Sequence, residues 1–322
     1  MAGGKERILR RRIKSVQTTK KITKAMELIA ASRIVKSQQR VLAARPYADQ
    51  ITEVIRNLAA AGAGGGAPLL AQREQIDTVA TIVIGGDRGL CGGYNGNAIR
   101  MAERNMAAHR REGKSVALVT VGKKIESYFR FRKFDIEASF SGFLDEPTYE
   151  DARAIAEAVV PKFEDGTFDR VDIVYTQFLS AGTQKVVTRQ FLPLDTSSLV
   201  DDASDGPAAD YEFEPGPDAI LENILPRYAE ARLFSALLEG AASFFAAQQR
   251  AMKSATDNAE ELIIKLSREM NRVRQDAITT EIMEIVGGAE ALRQGKSDGM
   301  DLIPDNALSI SDLLVDTVDY NR

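Results

Sequence analysis

The longest uninterrupted segment of the chain constrains its fold more than any other feature. From Arg227 to Val286 there are about sixty residues with no proline and a single glycine, Gly240. One helix over this segment extends about 90 Å at 1.5 Å per residue, several times the usual globular length. Apolar residues recur along it at the spacing of a coiled-coil seam: Ala259, Leu262, Leu266, Met270, Val273 and Ala277. Such a helix cannot cover its own apolar stripe, so it needs a long partner.

A second helical segment lies at the other end of the chain. Residues 1–58 are rich in good helix formers such as Ala, Lys, Arg, Gln and Leu. Pro46 interrupts this run, so we expect a kink or break there. Because the two helical segments flank a compact middle, we predict that they pair as an antiparallel coiled coil. The apolar residues expected on the packing face of the first helix are Ile13, Val16, Ile22, Met26 and Ile29.

The middle of the chain, residues 76–194, alternates between strand and helix patterns. Strands are predicted at 77–85, 115–122, 170–179 and 185–194, and helices at 95–111, 123–131 and 147–163. Alternating elements favour a parallel sheet, and the last two strands are close enough to form a hairpin at its edge. The predicted fold class is therefore α/β plus a long antiparallel α-helical coiled coil, with a small Rossmann-like base domain between the paired helices.

The domain organisation follows from these patterns and from shifts in composition. We predict an N-terminal coiled-coil helix, a flexible connector, an α/β base domain, an acidic loop, a C-terminal coiled-coil helix and an acidic C-terminal extension. These segments cover residues 1–58, 59–75, 76–194, 195–217, 218–292 and 293–322, respectively.

Charge is distributed unevenly along the chain, whose net charge is only −4. The first 45 residues carry thirteen Lys and Arg against Glu6 and Glu27. Such a basic arm needs an anionic partner, which is nucleic acid, lipid or an acidic protein surface. No run of about 18 apolar residues is present, so no transmembrane helix is expected, and no secretory signal is recognised.

Residues that could support catalysis or cofactor binding are few. The glycine-rich loop at 85–95 lies between a strand and a helix, where phosphates often bind, but it contains neither GxxxxGK[ST] nor GxGxxG. A tight turn with close backbone approach is the favoured interpretation. The single cysteine, Cys91, has no histidine near it in sequence, and the single histidine, His109, is interpreted as a solvated surface residue. Three carboxylates of the C-terminal helix are interpreted as surface ion-pair partners: Asp276, Glu281 and Glu284. We therefore predict no catalytic residue, no cofactor and no metal site.

Four blocks of sequence resemble the γ subunits of bacterial F-type ATP synthases. They are RRIKSVQTTKKITKAMELIAASR at 11–33, GDRGLCGGYN at 86–95, MKSATDNAEE at 252–261 and RQDAITTEIMEIVGGAEAL at 274–292. The second is similar to the family pattern S-D-R-G-L-C-G-G-x-N, with Gly86 in place of the serine.

This resemblance implies a non-catalytic central-stalk rotor subunit that transmits c-ring rotation to the β catalytic sites, coupling proton translocation to ATP synthesis. The implied partners are the hexameric ring of α and β subunits, the ε subunit and the c ring, with no nucleic acid and no small-molecule substrate. The implied location is the cytoplasmic face of a bacterial plasma membrane, as a peripheral protein attached through the complex.

The resemblance also assigns roles to individual residues. Contact with β, or coupling near that contact, is implied for Lys20, Lys21, Lys24, Met26, Arg250, Gln275, Thr279 and Glu281. Contact of the base domain with ε or the c ring is implied for Asp87, Arg88 and Tyr94. The family pattern ends near Leu292, and the segment 295–322 departs from it. We hypothesise either a thin tail that restrains ATP hydrolysis or a tolerated extension.

Three other functions remain open from the sequence alone. They are a static coiled-coil adaptor, a nucleotide-dependent α/β enzyme built on residues 76–194, and a nucleic-acid binder that uses the basic arm. Only the rotor interpretation requires α, β and ε in fixed stoichiometry.

Overall fold

The computed structural model of the chain describes residues 2–60, 63, 66–194 and 216–297. The predicted acidic loop and C-terminal extension lie almost entirely outside these residues, as does part of the predicted connector. The chain divides into two compact units, one formed by residues 18–259 and the other by the described parts of 1–17 and 260–322. The domain boundaries given above stay predictions.

A five-stranded sheet forms the centre of the unit 18–259. Its spatial order is β3-β2-β1-β4-β5, with β5 antiparallel and every other pair parallel. The strands are β1 (Thr78–Ile84), β2 (Ser115–Val121), β3 (Ala138–Phe140), β4 (Arg170–Phe178) and β5 (Gln184–Leu192). The predicted parallel sheet with an antiparallel edge is confirmed. Only β3 was missed, because three residues at a sheet edge carry too little periodic pattern.

Helices cover both faces of this sheet. They are α2 (Tyr94–Arg111), α3 (Lys123–Phe131) and α4 (Tyr149–Glu164), together with parts of the two long helices α1 (Ala2–Ala60) and α5 (Pro217–Ser297). Successive residues of a strand point to opposite faces. Val83 accordingly packs with α2 and α3, whereas Ile82 and Ile84 join a cluster that includes α4 and α5. The cluster that contains Ile82 and Ile84 also includes four leucines of α5: Leu221, Leu225, Leu233 and Leu237.

The start of α4 is defined by reciprocal capping. The Thr148 hydroxyl accepts the backbone N–H of Asp151, and the Asp151 carboxylate accepts the backbone N–H of Thr148 at 2.7 Å. This capping box satisfies donors that the first helical turn leaves unpaired. The predicted helix beginning at Pro147-Thr148 is therefore confirmed.

The two long helices are longer than the sequence pattern indicated. The first, α1, has 59 residues and continues through Pro46. Of the predicted kink or break, the break is therefore wrong, and the kink stays a prediction. A proline removes one helical hydrogen bond, but the helix continues on both sides of it. The second, α5, has 81 residues and includes Pro226, which directly precedes the predicted uninterrupted run that begins at Arg227.

Within the unit 18–259, the two long helices run antiparallel. Ile34 shares a buried cluster with Phe244 and Phe245, and Thr23 lies opposite Thr256. Moving back eleven residues on α1, from 34 to 23, therefore matches moving forward eleven on α5, from 245 to 256. In the other unit, Leu9 and Ile13 cluster with Leu266, flanked by residues of the predicted α5 seam. The predicted coiled-coil pairing is confirmed.

The packing face predicted for α1 is wrong at two of its five positions. Ile22 and Ile29 are 56% and 60% exposed. The residues that are buried include Thr23, Ala30 and Ser37, which are small or polar. Neighbouring helix positions differ by about 100° around the axis. Ile22 and Ile29 each lie one position before a buried small residue, so their apolar side chains indicated the wrong side of the helix.

Candidate functional site

The glycine-rich loop between β1 and α2 is fixed in place by Asp87. One oxygen of its carboxylate accepts the backbone N–H of Lys123 at 3.0 Å. The other oxygen accepts the N–H groups of Gly142 at 2.9 Å and Leu144 at 3.2 Å. A carboxylate that accepts several backbone donors forms strong, charge-assisted bonds. Asp87 thus ties the loop to the start of α3 and to the segment after β3.

Asn95 closes the same loop from the other side. Its side-chain oxygen accepts the N–H of Gly86 at 2.8 Å, and its amide nitrogen donates to the carbonyl oxygen of Arg88 at 3.1 Å. A Cβ atom at Gly85 would lie 2.4 Å from Ile125, and one at Gly86 would lie 2.9 Å from the Phe244 ring. The interpretation of this loop as a turn with close backbone approach is confirmed. The Phe244 contact also explains glycine at the position where the family pattern has serine.

Arg88 and Tyr94, the other two residues expected at a partner contact, lie in different environments. The Arg88 side chain is 66% exposed and forms an ion pair with Asp145. Tyr94 is buried, its hydroxyl donates to the carbonyl oxygen of Gly240 at 3.0 Å, and its ring meets Phe244 edge-on. Burial raises the pKa of Tyr94. Of the three, Arg88 offers the most accessible charge, and the contacts themselves stay predictions.

The predicted β-contact residues of α1 form a basic stretch. Lys21 and Lys24 are exposed, whereas Lys20 and Met26 are half-buried. The ammonium group of Lys24 contacts both carboxylate oxygens of Glu27 at 3.1 Å. An exposed pair of this kind contributes about 0–1 kcal/mol, so Lys24 can exchange this partner for another carboxylate at little cost.

Arg250 has a structural role that sequence reasoning missed. Its guanidinium donates to the carbonyl oxygens of Ala181 at 2.9 Å and Gly182 at 3.4 Å, and also to the side-chain oxygen of Gln184. Arg250 therefore attaches α5 to the turn of the β4–β5 hairpin. No local pattern indicates this, because the residues are almost seventy positions apart. Its implied contact with β stays a prediction.

The end of α5 exposes a group of apolar side chains. Gln275, Thr279 and Glu281, the remaining implied coupling residues, are exposed on this part of the helix. The apolar residues among and beyond them are 49–76% exposed: Ile278, Ile282, Met283, Ile285, Val286 and Leu292. Large exposed apolar patches mark interaction surfaces. The sequence signal was present, since apolar residues continue after the predicted seam ends at Ala277.

The residues that might have supported catalysis have structural roles. Cys91 is buried beside Asn95, and burial raises the pKa of its thiol. The interpretation of His109 as a solvated residue is wrong, because its Nε2 atom lies 3.2 Å from the buried carboxylate of Asp172 and the side chain is only 16% exposed. That carboxylate also accepts from the Nε atom of Arg170 at 2.9 Å. Within the described ranges, no cluster of three or more His, Cys, Asp or Glu residues has the arrangement of a metal site.

In the part of the chain that the structure describes, no helix combines the length and the apolar character needed to cross a bilayer.

Comparison with known proteins places this arrangement in a family. The sequence matches the family described as ATP synthase over residues 5–292. An ATP synthase gamma chain from Parafrankia sp. is 50% identical over 296 residues, covering 91% of this chain and 99% of the relative. The chain belongs to the ATP synthase gamma chain family. A second gamma chain, from Kineococcus radiotolerans, is 46% identical over 299 residues, with 91% and 99% covered.

Solved structures agree with this assignment at the level of the fold. A chain of the Euglena gracilis mitochondrial ATP synthase, from a structure of OSCP, F1 and c-ring, has a TM-score of 0.62 and 18% identity, covering 95% of this chain and all of that one. A chain from the central stalk and c-ring of the Tetrahymena thermophila enzyme has a TM-score of 0.55 and 23% identity, covering 73% and 99%. The fold of this chain is therefore one that chains of these ATP synthases share.

Proposed function

We propose that this gamma-chain family member is the central-stalk rotor subunit of an F-type ATP synthase. In this role it transmits rotation of the c ring to the β catalytic sites, and it has no catalytic site of its own. The observation that carries the proposal is the exposed apolar end of α5. Six large apolar side chains on one helix end require a surrounding surface, which a ring of α and β subunits provides.

The basic stretch of α1 is proposed to face an acidic surface of β. Lys20, Lys21, Lys24 and Met26 form this contact, with Arg250, Gln275, Thr279 and Glu281 contributing from α5. Since each exposed ion pair contributes at most about 1 kcal/mol, no single charge can account for coupling. Steric displacement of β by an asymmetric pair of helices is therefore the proposed mechanism.

The glycine-rich loop is proposed to face ε or the c ring. Arg88 is the residue best suited to a direct contact, because its charge is exposed. Asp87 and Tyr94 act from behind it, by holding the loop to α3 and α5. The coupled ion is proposed to be the proton, and the complex is proposed to hold this chain peripherally at the cytoplasmic face of a bacterial plasma membrane.

Disulfide trapping tests the rotor proposal in the assembled enzyme. A cysteine at Met26, combined with one in an acidic loop of β, is expected to form a disulfide that abolishes ATP turnover, and reduction should restore it. A cysteine at Phe131, which is 83% exposed on α3, serves as a control and should leave turnover unchanged.

The same preparation separates the alternatives. A rotor subunit must co-purify with α, β and ε in fixed stoichiometry. A static adaptor does not require that stoichiometry, and turnover would survive the Met26 disulfide. Isolation of the chain without α and β would overturn the proposal, and saturable nucleotide binding by the isolated chain would support an enzyme instead.

A further inference from the structure

We propose that an open cavity between α1, α4 and α5 binds a small organic acid with an aromatic body and a single anionic group. We call it the three-helix cavity. It lies within the unit 18–259 and has a volume of about 570 Å³. Sites that bind small molecules typically measure roughly 300–1,000 Å³. The inference concerns ligand binding and is independent of the proposed role in rotation.

Small side chains leave the three-helix cavity open. Its lining includes Ala44 and Ala48 of α1 and Ala231 and Ser235 of α5. On each helix the two residues are four positions apart, so they share one side of that helix. Longer side chains at these positions would fill the space, so the sequence leaves room for a ligand between the helices.

Each of the three helices also contributes one aromatic ring to the lining: Tyr47, Tyr149 and Phe234. The rings of Tyr149 and Phe234 meet edge-on, with their centroids 5.7 Å apart. Tyr149 is the first residue of α4, so the capping box of Thr148 and Asp151 fixes its position. Tyr47 is 49% exposed, so its ring is accessible to a ligand. Aromatic walls of this kind favour an aromatic or flat apolar body.

Two arginines in the lining favour an anionic group on that body. Arg153 forms only an exposed ion pair with Glu157 at 3.0 Å, and such pairs contribute little. Arg227 is exposed, and within the described residues no carboxylate forms an ion pair with it. Its guanidinium can therefore form charge-assisted hydrogen bonds with a carboxylate of the ligand.

Glu230 limits the ligand to one such group. It also lines the cavity, one helical turn from Arg227. Burial, together with hydrogen bonds to Glu230 and Tyr47, raises the pKa of Tyr149. The Tyr149 phenol therefore stays neutral at physiological pH, and Glu230 keeps its negative charge beside the aromatic walls. A second anionic group on the ligand would be repelled by this carboxylate.

Calorimetric titration of the full chain with two probes of similar shape tests the site. The first probe, 2-naphthoate, has an aromatic body and a carboxylate, and 2-naphthalenemethanol is its neutral analogue. We expect saturable binding of 2-naphthoate and weaker binding of the neutral analogue. Ala44→Leu places a longer side chain in the cavity and should weaken both. The matched control is Ala43→Leu, because Ala43 is exposed one position away and does not line the cavity.

Absence of saturable 2-naphthoate binding would overturn the proposal. Equal effects of the two leucine substitutions would also overturn it, because they would place the bound probe outside the cavity.

Charge variants provide a second measurement. Arg227→Gln should weaken 2-naphthoate binding by about tenfold or more and leave binding of the neutral analogue unchanged. Lys253→Gln is the matched control, since Lys253 is exposed on α5 away from the cavity. Glu230→Gln should tighten 2-naphthoate binding, because it removes a like charge. Far-UV circular dichroism checks that each variant keeps its helices.

In chains that remain helical, equal losses for Arg227→Gln and Lys253→Gln would show that Arg227 does not hold the carboxylate. A loss for Glu230→Gln as large as that for Arg227→Gln would contradict the proposed preference for an anion. Either result would overturn the proposal.

Discussion

The hydroxyl oxygens of Thr23 and Thr256 lie 2.8 Å apart in the buried seam between α1 and α5. Each hydroxyl also lies within hydrogen-bond distance of a carbonyl oxygen of its own helix, Thr23 at 3.1 Å from that of Lys20 and Thr256 at 2.9 Å from that of Met252, so one hydroxyl donates to the other while the second donates to its own helix. Small side chains with internal acceptors allow the two helices to approach closely without leaving polar groups unpaired. This part of the seam is held by shape and hydrogen bonding rather than by large apolar residues.

Replacing one of these threonines should lower the unfolding free energy by more than half of the loss that replacing both produces. Thr23→Val removes the bond between the helices and leaves Thr256 with one partner fewer, so we expect a loss of about 1 kcal/mol in unfolding free energy. The double variant Thr23→Val/Thr256→Val removes both polar groups and should lose less than the sum of the single changes. Urea denaturation of the four chains measures this, and strict additivity would contradict the proposed pairing.

The corrected packing face of α1 can be tested with two isoleucines. Ile34 is 5% exposed and Ile29 is 60% exposed. Ile34→Ala should lower the unfolding free energy by about 2–5 kcal/mol, because it removes buried methyl groups and leaves a cavity. Ile29→Ala should change it by no more than about 0.5 kcal/mol. Equal losses in thermal or urea denaturation of the isolated chain would restore the face predicted from the sequence.

The three hydrogen bonds of Asp87 should make its charge important for stability. Asp87→Asn replaces one acceptor oxygen with an amide group that faces backbone N–H donors. We expect a loss of about 2 kcal/mol, typical of hydrogen bonds to a charged group. Arg88→Gln, which removes only an exposed ion pair, is the control and should cost at most about 1 kcal/mol. Comparable losses for the two variants would show that Asp87 is not the main restraint on the loop.

Two glycines with positive φ allow the energetic cost of backbone strain to be measured separately from the cost of crowding. Gly122 has φ +115° and a Cβ atom there would lie 2.9 Å from Leu144, whereas Gly113 has φ +81° and open space around it. Gly113→Ala should cost about 1–2 kcal/mol from the backbone alone. Gly122→Ala should cost more, since crowding is added to strain. A smaller loss of unfolding free energy for Gly122→Ala than for Gly113→Ala would mean that the Leu144 side chain moves aside easily.

Glu239 should make stability depend on pH. Burial on α5 raises the pKa of its carboxyl group above the ordinary 4.5, although the Phe178 N–H and nearby arginines oppose this. A raised pKa in the folded state means that the favourable contribution is complete below pH 4.5 and is lost as pH rises through the folded-state value. Glu239→Gln keeps an acceptor for Phe178 and removes the charge. Its unfolding free energy, relative to the unmodified chain, should therefore increase as the pH rises above 4.5.

The control for this titration is Glu222→Gln, because Glu222 is exposed on the same helix. If the Glu239→Gln difference from the unmodified chain changed with pH no more than the Glu222→Gln difference does, the burial of the Glu239 carboxylate would have no energetic consequence at neutral pH.

Sequence patterns predicted the elements whose signal is local and repeated. The strand Arg170–Phe178 and the α5 seam at Leu266 were found because periodicity reflects burial directly. The seam of α1 was misassigned at Ile22 and Ile29, since close helix contact there uses Thr23 and Ala30, whose size gives no apolar signal.

Contacts between distant residues could not be predicted in the same way. The bonds from Asp87 to Gly142 and from Arg250 to Ala181 join segments 55 and 69 positions apart. The motif around Asp87 indicated that the residue matters, but only the folded chain shows that it works by holding backbone groups. The placement of His109 against Asp172 depends likewise on how α2 packs on β4.

The four leucines that α5 contributes to the core, Leu221, Leu225, Leu233 and Leu237, have a mechanical consequence. Turning α5 about its own axis would withdraw these side chains from the sheet and expose them to water. Each fully buried leucine opposes this with about 1.5–3 kcal/mol of transfer free energy. A torque applied to the sheet is therefore transmitted to this portion of α5, because the helix cannot turn relative to the sheet without exposing these leucines.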